Sequence, residues 1–322
     1  MLNVALIGLG NIGLLFDINK DDTQKSLSHV KSIFLHKEFN LLYAVDVNLD
    51  NEKVLKTFFP SVKLFNSHSE IVLKDDIDIL VIATPTKNHF SILKDFENNL
   101  NIKIFFIEKP LFQTFKEYEE INESIKNKIV VNYLRRFAPA FIDLKKRLKK
   151  ETYVEKIVIN YCKGLKNNGS HMIDLLNYLF DDLEIKSSQI LSSSIGFDEN
   201  DFCYDLYIEA THNNKIIPIF FISHNHEKYN LINMDIYTNK HKIEFSNSEG
   251  KISYFKIVDD TNFSNYKVFD SVGEDVEINN QYLMYYAYEN ISNILINQEK
   301  NISSFSDEVK NTLFIKKILK DL

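Results

Sequence analysis

The chain has 322 residues, 44% hydrophobic and 26% charged, with a formal net charge of -7 at pH 7; that is enough for two domains with a core each, and the acidic balance excludes a nucleic-acid backbone as the main partner. The two cysteines, Cys162 and Cys203, stand far apart without CxxC spacing, which argues against a disulfide framework or a zinc site and fits a reducing cytoplasm. No apolar run approaches the roughly 20 residues of a membrane span, and no leader precedes the first strand.

The opening stretch, MLNVALIGLGNIG, runs a short apolar segment, residues 4–7, into Gly8, Gly10 and Gly13. Such a run suits a strand buried on both faces of a parallel sheet. In the GxGxxG spacing, Gly8 allows a tight turn, Gly10 lets a pyrophosphate approach the backbone, and Gly13 lets the next helix pack on the strand. Phosphates then rest on the free N–H groups and positive end of that helix, with Asn11 and Ile12 inside the turn as further cofactor contacts. A short helix start precedes a polar loop over residues 17–25 and a helical stretch to Lys37, opened by Ser28 and by His29, which reads as a surface histidine.

Strand two, residues 41–45, ends at Asp46. A carboxylate there accepts both hydroxyls of an adenosine ribose and repels a 2'-phosphate, so NAD is favoured over NADP. Apolar strands follow at residues 77–83, 102–107 and 128–133. The first runs into Thr84, Pro85 and His89, and the second into Glu108, Lys109 and Pro110. The carboxyl ends of such strands are where ligands lie in a doubly wound sheet. Strands alternating with helices over residues 1–133 predict a parallel sheet and a first, dinucleotide-binding domain.

Residues 134–322 change character. A connecting helix over 134–150 leads to strands at 154–162, 185–195, 202–210, 216–222, 231–237 and 242–245, interrupted by a helix over 171–180 and closed by helices over roughly 279–297 and 306–321, the last capped by Ser306. Apolar residues alternate with Asp205 and Glu209 along one of these strands, the pattern of a sheet covered on one face. Short connections make this sheet mainly antiparallel. An open apolar face needs covering, so a homodimer or homotetramer is expected. His224 and His226 share one strand but lack a third metal ligand.

Lys109 and His171 are the candidate catalytic residues. A lysine just past the strand at residues 102–107 reaches toward the nicotinamide end of a bound dinucleotide. A histidine opening a helix after Gly169 and Ser170 is disfavoured from taking on positive charge, as a general base near pH 7 requires. Tyr161, Lys163 and Arg136 are candidate substrate contacts, and each reads equally well as an ordinary strand-end or helix-start residue.

The GLGNIG opening, the Glu108-Lys109-Pro110 triplet, the Arg135-Arg136-Phe137-Ala138-Pro139 segment and Gly169-Ser170-His171-Met172-Ile173-Asp174 together resemble the glucose-fructose oxidoreductase and inositol dehydrogenase family (Gfo/Idh/MocA). The resemblance implies an α/β amino-terminal Rossmann domain, a carboxyl-terminal α+β domain with a large open sheet, and NAD(P)-dependent redox chemistry on a sugar, cyclitol or nucleotide sugar, with Lys109 and His171 catalytic. The family usually carries an aspartate four residues before that histidine, where this chain has Asn167. Asparagine orients by hydrogen bonding but cannot carry a proton. The variant looks like members associated with surface-polysaccharide biosynthesis. Two other readings stay open: a hydrolase or lyase that oxidises its sugar transiently and returns the hydride, and a non-catalytic dinucleotide-binding sensor.

Overall fold

The apolar run after Met1 folds as strand β1 (Leu2–Ile7), whose last four residues are fully enclosed. The computed structural model describes residues 1–19, 21–151, 153–181, 183–196, 201–224 and 228–319. They form two units, one of Met1–Ala138 with Gln281–Val309, the other of Pro139–Asn280 with Lys310–Leu322.

In the first unit β1 is followed by α1 (His29–Leu35), β2 (Phe39–Val45), α2 (Glu52–Phe58), β3 (Lys63–Phe65), β4 (Ile79–Ile82), α3 (His89–Phe96), β5 (Ile104–Ile107), the short α4 (Phe115–Glu119) and α5 (Glu123–Lys126), and β6 (Ile129–Val131). The strands lie in the order β3-β2-β1-β4-β5-β6 with every neighbour parallel, the doubly wound arrangement that the alternation predicts. Successive side chains of β1 enter different cores, Val4 and Leu6 on one face and Ala5 and Ile7 on the other. A strand covered on both faces has no polar side to show, hence the unbroken apolar run.

Helix α1 does not start where the glycine motif would put it. After a first turn closed by Leu14 N–H to Gly10 O (2.9 Å), the chain loops out. It rejoins when His29 N–H bonds Ile12 O and Val30 N–H bonds Gly13 O, both at 2.9 Å. His29 thus stands where residue 16 would stand in an uninterrupted helix. The loop is tied down: Asp17 accepts from Leu27 N–H and Ser28 N–H, each at 2.6 Å, and the buried Lys31 ammonium donates to Asn19 O at 2.9 Å.

The second unit comprises α6 (Pro139–Leu148), β7 (Val154–Tyr161), α7 (Ser170–Leu179), β8 (Glu184–Ile195), β9 (Phe202–His212), β10 (Lys215–Ser223), β11 (Ile232–Thr238), β12 (His241–Ser246), β13 (Lys251–Asp259), β14 (Lys267–Phe269) and β15 (Glu274–Glu277). The sheet runs β14-β13-β12-β11-β7-β10-β9-β8, with β15 on β13, and is antiparallel except for the β7–β10 pair. The β9–β10 hairpin turns on Asn213 and Asn214, both at positive φ, which asparagine tolerates and a two-residue hairpin demands. Phe141 of α6 packs edge-on against Phe245, ring centroids 5.1 Å apart, covering one face. On the other face Ile216 and Ile222 stay exposed.

Sequence periodicity misses β3, β13, β14 and β15. It also places a single domain boundary at 133/134, whereas the chain returns to the first unit through α8 (Leu283–Ile296) and the start of α9 (Phe305–Ile318). Met284, Ala287, Tyr288 and Ile291 of α8 complete the core under β1, and an apolar helix face reads the same whichever sheet it covers. The cap of α9 is Ser304 rather than Ser306: its hydroxyl bonds Asp307 Oδ2 at 2.6 Å and that same oxygen accepts Ser304 N–H at 2.9 Å.

Removing Leu15–Leu27 joins Leu14 to Ser28 and turns the His29 N–H to Ile12 O bond into an ordinary helical one. The deletion variant is expected to keep its far-ultraviolet circular dichroism but to melt lower than the parent, because the buried Lys31 loses Asn19 O and Ser28 N–H loses Asp17; aggregation or lost helix signal would show the loop to be part of the folding unit. His36, at the end of α1, stacks on Tyr285 of α8 at 3.9 Å. Burial holds this ring below its ordinary pKa against the Ser32 carbonyl bond and the Glu38 and Glu289 charges. The unfolded chain takes up a proton near pH 6.5 that the folded chain refuses. Stability is therefore complete above that pH and falls as pH drops below it, by at most about 1.4 kcal/mol per pH unit from this group. Urea midpoints between pH 7.5 and 5 are expected to fall more steeply in the parent than in His36→Phe.

Candidate active site at the carboxyl edge of the parallel sheet

The three glycines of the turn after β1 meet different constraints. Gly8 has φ +105°, and a Cβ on it would lie 2.6 Å from Ala83 O; a Cβ on Gly13 would lie 2.1 Å from Gly8 O. The fold itself therefore requires both. Around Gly10 a Cβ would meet nothing within 4 Å. That turn carries the first N–H groups of a helix, which have no partner within the helix, and at Gly10 the protein leaves room over them.

The strands that follow extend this turn into a row. Gly8 N–H donates to Val45 O (2.8 Å), Ala83 N–H to Ile7 O (2.8 Å), Glu108 N–H to Ile82 O (3.0 Å) and Asn132 N–H to Ile107 O (2.8 Å). Neighbouring strands lie about 4.8 Å apart, so the glycine turn, Thr84, Glu108 with Lys109, and Asn132 line one edge. Asp46 closes the row at β2. Its Oδ2 accepts Leu9 N–H and its Oδ1 accepts Asn48 N–H at 2.8 Å, which fixes the carboxylate beside the glycine turn. Thr84 Oγ1 and Asn132 Oδ1 are buried with no hydrogen-bond partner among the described residues. Two orphaned polar atoms in one row suit a ligand that supplies the missing partners.

The Lys109–Pro110 peptide is cis, and the loop it opens is braced. Leu111 N–H donates to Glu308 Oε1 at 3.1 Å, while Leu111 O lies 3.1 Å from His89 Nδ1. His89, fully buried, has its other nitrogen 2.8 Å from Thr84 O. Its ring therefore joins two loops of the edge, and Pro85 begins the short turn that leads to it. Glu108 accepts on Oε1 from Asn132 Nδ2 at 2.5 Å and faces His29 Nε2 at 3.0 Å. Burial pushes its pKa up, but the His29 and Asn132 hydrogen bonds and the charges of His29 and Lys109 outweigh it and hold the carboxyl below its ordinary value.

In the second unit the chain leaves β7 through Lys163 at φ 69° and Gly164 at φ 98°, a strained pair for a lysine. It then winds into a π-helical turn, Leu165–Gly169, closed by Gly169 N–H to Gly164 O at 3.0 Å, which runs without a break into α7. His171 accordingly lies well inside a continuous helical run, not at a free helix start. The dipole argument for an uncharged imidazole loses its basis, since that effect fades beyond the first turn. Asp201 supports the turn, accepting Lys166 N–H on Oδ1 and Asn167 N–H on Oδ2, both at 2.8 Å.

Residues 2–134 match the family model described as oxidoreductase family, NAD-binding Rossmann fold (GFO_IDH_MocA). Over those residues the chain is similar to the Gfo/Idh/MocA oxidoreductases. A curated relative, scyllo-inositol 2-dehydrogenase (NAD(+)) of Bacillus subtilis (strain 168), is 37% identical over 83 residues, which is 24% of this chain and 23% of the relative. Over its whole length the chain shares the fold of a dehydrogenase (MviM) from Clostridium difficile, at TM-score 0.71 and 17% identity, covering 100% of this chain and 99% of the other. A super-repressor mutant of Gal80p from Saccharomyces cerevisiae has the same fold, at TM-score 0.75, 14% identity and coverage of 99% and 95%.

Two expected substrate contacts, Arg136 and Tyr161, are buried and bonded within their own units. Arg136 is 1% exposed, donates Nη1 to Ile302 O at 2.9 Å and pairs with Asp307 at 3.3 Å; it fastens the returning chain to the first unit. Tyr161 is 0% exposed, its hydroxyl donating to Tyr204 O at 2.9 Å and accepting Tyr204 N–H at 2.7 Å. A one-dimensional reading sees polar residues at strand ends but not that the chain closes over them. His29, read as a surface residue, is fully buried. His224 bonds Asn160 Oδ1 at 2.9 Å, and His226 lies outside the described residues.

Gly10→Ala is expected to fold with an unchanged melting temperature, because its methyl group meets no atom of the protein. Gly13→Ala must displace backbone and is expected to lose about 2 kcal/mol or more in urea unfolding. Equal losses in both variants would contradict this division between fold and ligand.

Proposed function

We propose that the chain is an NAD-dependent dehydrogenase acting on a secondary hydroxyl, or in reverse a keto group, of a sugar, cyclitol or nucleotide sugar. The observation that carries this reading is the edge row: a glycine turn open at Gly10, two orphaned polar atoms at Thr84 and Asn132, and an ionised Glu108 next to Lys109. Nicotinamide, when bound, supplies the hydride acceptor or donor. The chain's own groups do the rest. Asn11 and Ile12 present N–H groups to phosphate, Asp46 accepts ribose hydroxyls and repels a 2'-phosphate, and Thr84, Pro85 and His89 shape the wall between turn and lysine.

In the oxidising direction His171 takes the hydroxyl proton as the carbon gives up hydride, and the Lys109 ammonium stabilises the oxygen as negative charge develops on it. Asn167 orients and Lys163 contacts substrate hydroxyl groups. The exposed Ile216 and Ile222 make the open sheet face the contact between copies of the chain. Nucleotide-sugar chemistry for surface polysaccharides is the narrower form of the proposal.

Fold alone does not choose a dehydrogenase, since the same architecture carries a repressor protein as well. The neutral Asn167 favours the second reading, a dinucleotide-binding sensor. The deciding experiment follows absorbance of reduced nicotinamide with NAD and a panel of inositols, sugars and nucleotide sugars. Turnover is expected with at least one of them, with kcat/KM falling about 100-fold or more in Lys109→Ala and in His171→Ala at unchanged melting temperature. Tight NADH binding with no turnover selects the sensor; product cleavage without net NADH selects a transiently oxidising hydrolase or lyase.

A further inference from the structure

Behind Glu108 lies a buried polar chain that the chemistry above does not use. His29, at the rejoined start of α1, is fully enclosed, with Nε2 3.0 Å from Glu108 Oε1 and Nδ1 2.9 Å from the hydroxyl of Tyr288 on α8. Its ring is locked edge-on between Phe106 and Tyr288, at centroid distances of 5.3 and 5.8 Å. An ionised carboxylate only accepts, so Nε2 donates to Glu108; Nδ1 accepts the Tyr288 O–H when the ring is neutral and donates to that oxygen when it is protonated. Asn132 adds a second donor to the same Oε1. With Oε1 committed twice and 15% of the side chain still exposed, Oε2 is left as the oxygen that can face a ligand.

We propose that His29, held by Tyr288, is a positioning residue of the redox site: it aims one N–H at Glu108 Oε1 and thereby fixes the carboxylate immediately before Lys109. This rests on the dehydrogenase reading. The groups facing Glu108 are His29 from α1, Asn132 after β6, and Lys109 beside it in the chain, with Tyr288 of α8 behind the imidazole. Loss of the imidazole donor leaves a largely buried carboxyl with less to keep it ionised, so it titrates at higher pH.

The test compares His29→Asn, His29→Gln and Tyr288→Phe with the parent. The Asn amide reaches only toward Tyr288, whereas the longer Gln amide reaches Glu108. In His29→Asn, kcat/KM is expected to fall about tenfold to a hundredfold, with the acidic limb of the pH–rate profile moved to higher pH. His29→Gln is expected to recover most of the loss, and Tyr288→Phe, which keeps the ring and drops the hydroxyl, to fall between. If His29→Asn and Tyr288→Phe melt lower but keep the parental kcat/KM and pH limb, the positioning role is refuted while the dehydrogenase reading stands. If the parent itself neither binds NADH nor turns over any polyol, the dehydrogenase reading fails and takes this proposal with it.

Discussion

The constraint on which this molecule depends is the last rung of its parallel ladder. At the carboxyl edge, four successive N–H groups, those of Gly8, Ala83, Glu108 and Asn132, each close on the final carbonyl of the neighbouring strand. A backbone hydrogen bond between buried strands is costly to leave unmade, so the row is as rigid as the sheet. Side chains hung from it are placed by the fold, without help from a mobile loop. The glycine turn obeys the same logic: Gly8 and Gly13 approach until a single Cβ would collide with a carbonyl oxygen, and that closeness puts the first helical turn against the end of β1.

Such an edge still needs bracing where the chain leaves it, and much of the brace comes from sequence far away. Glu308 holds the Leu111 N–H and also accepts the Tyr118 hydroxyl. Ser303 exchanges bonds with Val131 along the open side of β6, and Arg136 and Asp307 pair beneath. Burial pushes the Asp307 carboxyl up, but the Arg136 charge and the Ser304 bonds outweigh it and keep the pKa low. Breaking such a buried pair costs about 3–5 kcal/mol, because one charge is left uncompensated. The return of residues 281–309 to the first unit is thus part of how the Lys109 loop keeps its shape.

What could be read from the sequence follows from how local the cause is. The β1 run, the glycine turn and Asp46 are set by near neighbours, and the parallel sheet order follows from alternation of strand and helix. The strands β14 and β15 left no trace because they are exposed and only three and four residues long, too short to imprint a period of two. The burial of Arg136, Tyr161 and His29 escapes the sequence for one shared reason. A polar residue's burial depends on what the chain brings over it from 43 or more positions away, and no spacing rule carries that. Even the π-helical turn before His171 escapes a pattern search, since Gly164 and Gly169 look the same in a loop as in a five-residue turn.

Asn167 is held in that turn through its backbone. Its backbone N–H sits 2.8 Å from one oxygen of Asp201, the preceding N–H binds the other, and Asp201 is only 8% exposed. A Cβ at Gly164 would strike the same carboxylate at 2.1 Å, so the segment is moulded around it. Asp201 is therefore committed to holding backbone. Asn167 thus stands in a rigid support that leads directly into the helix carrying His171.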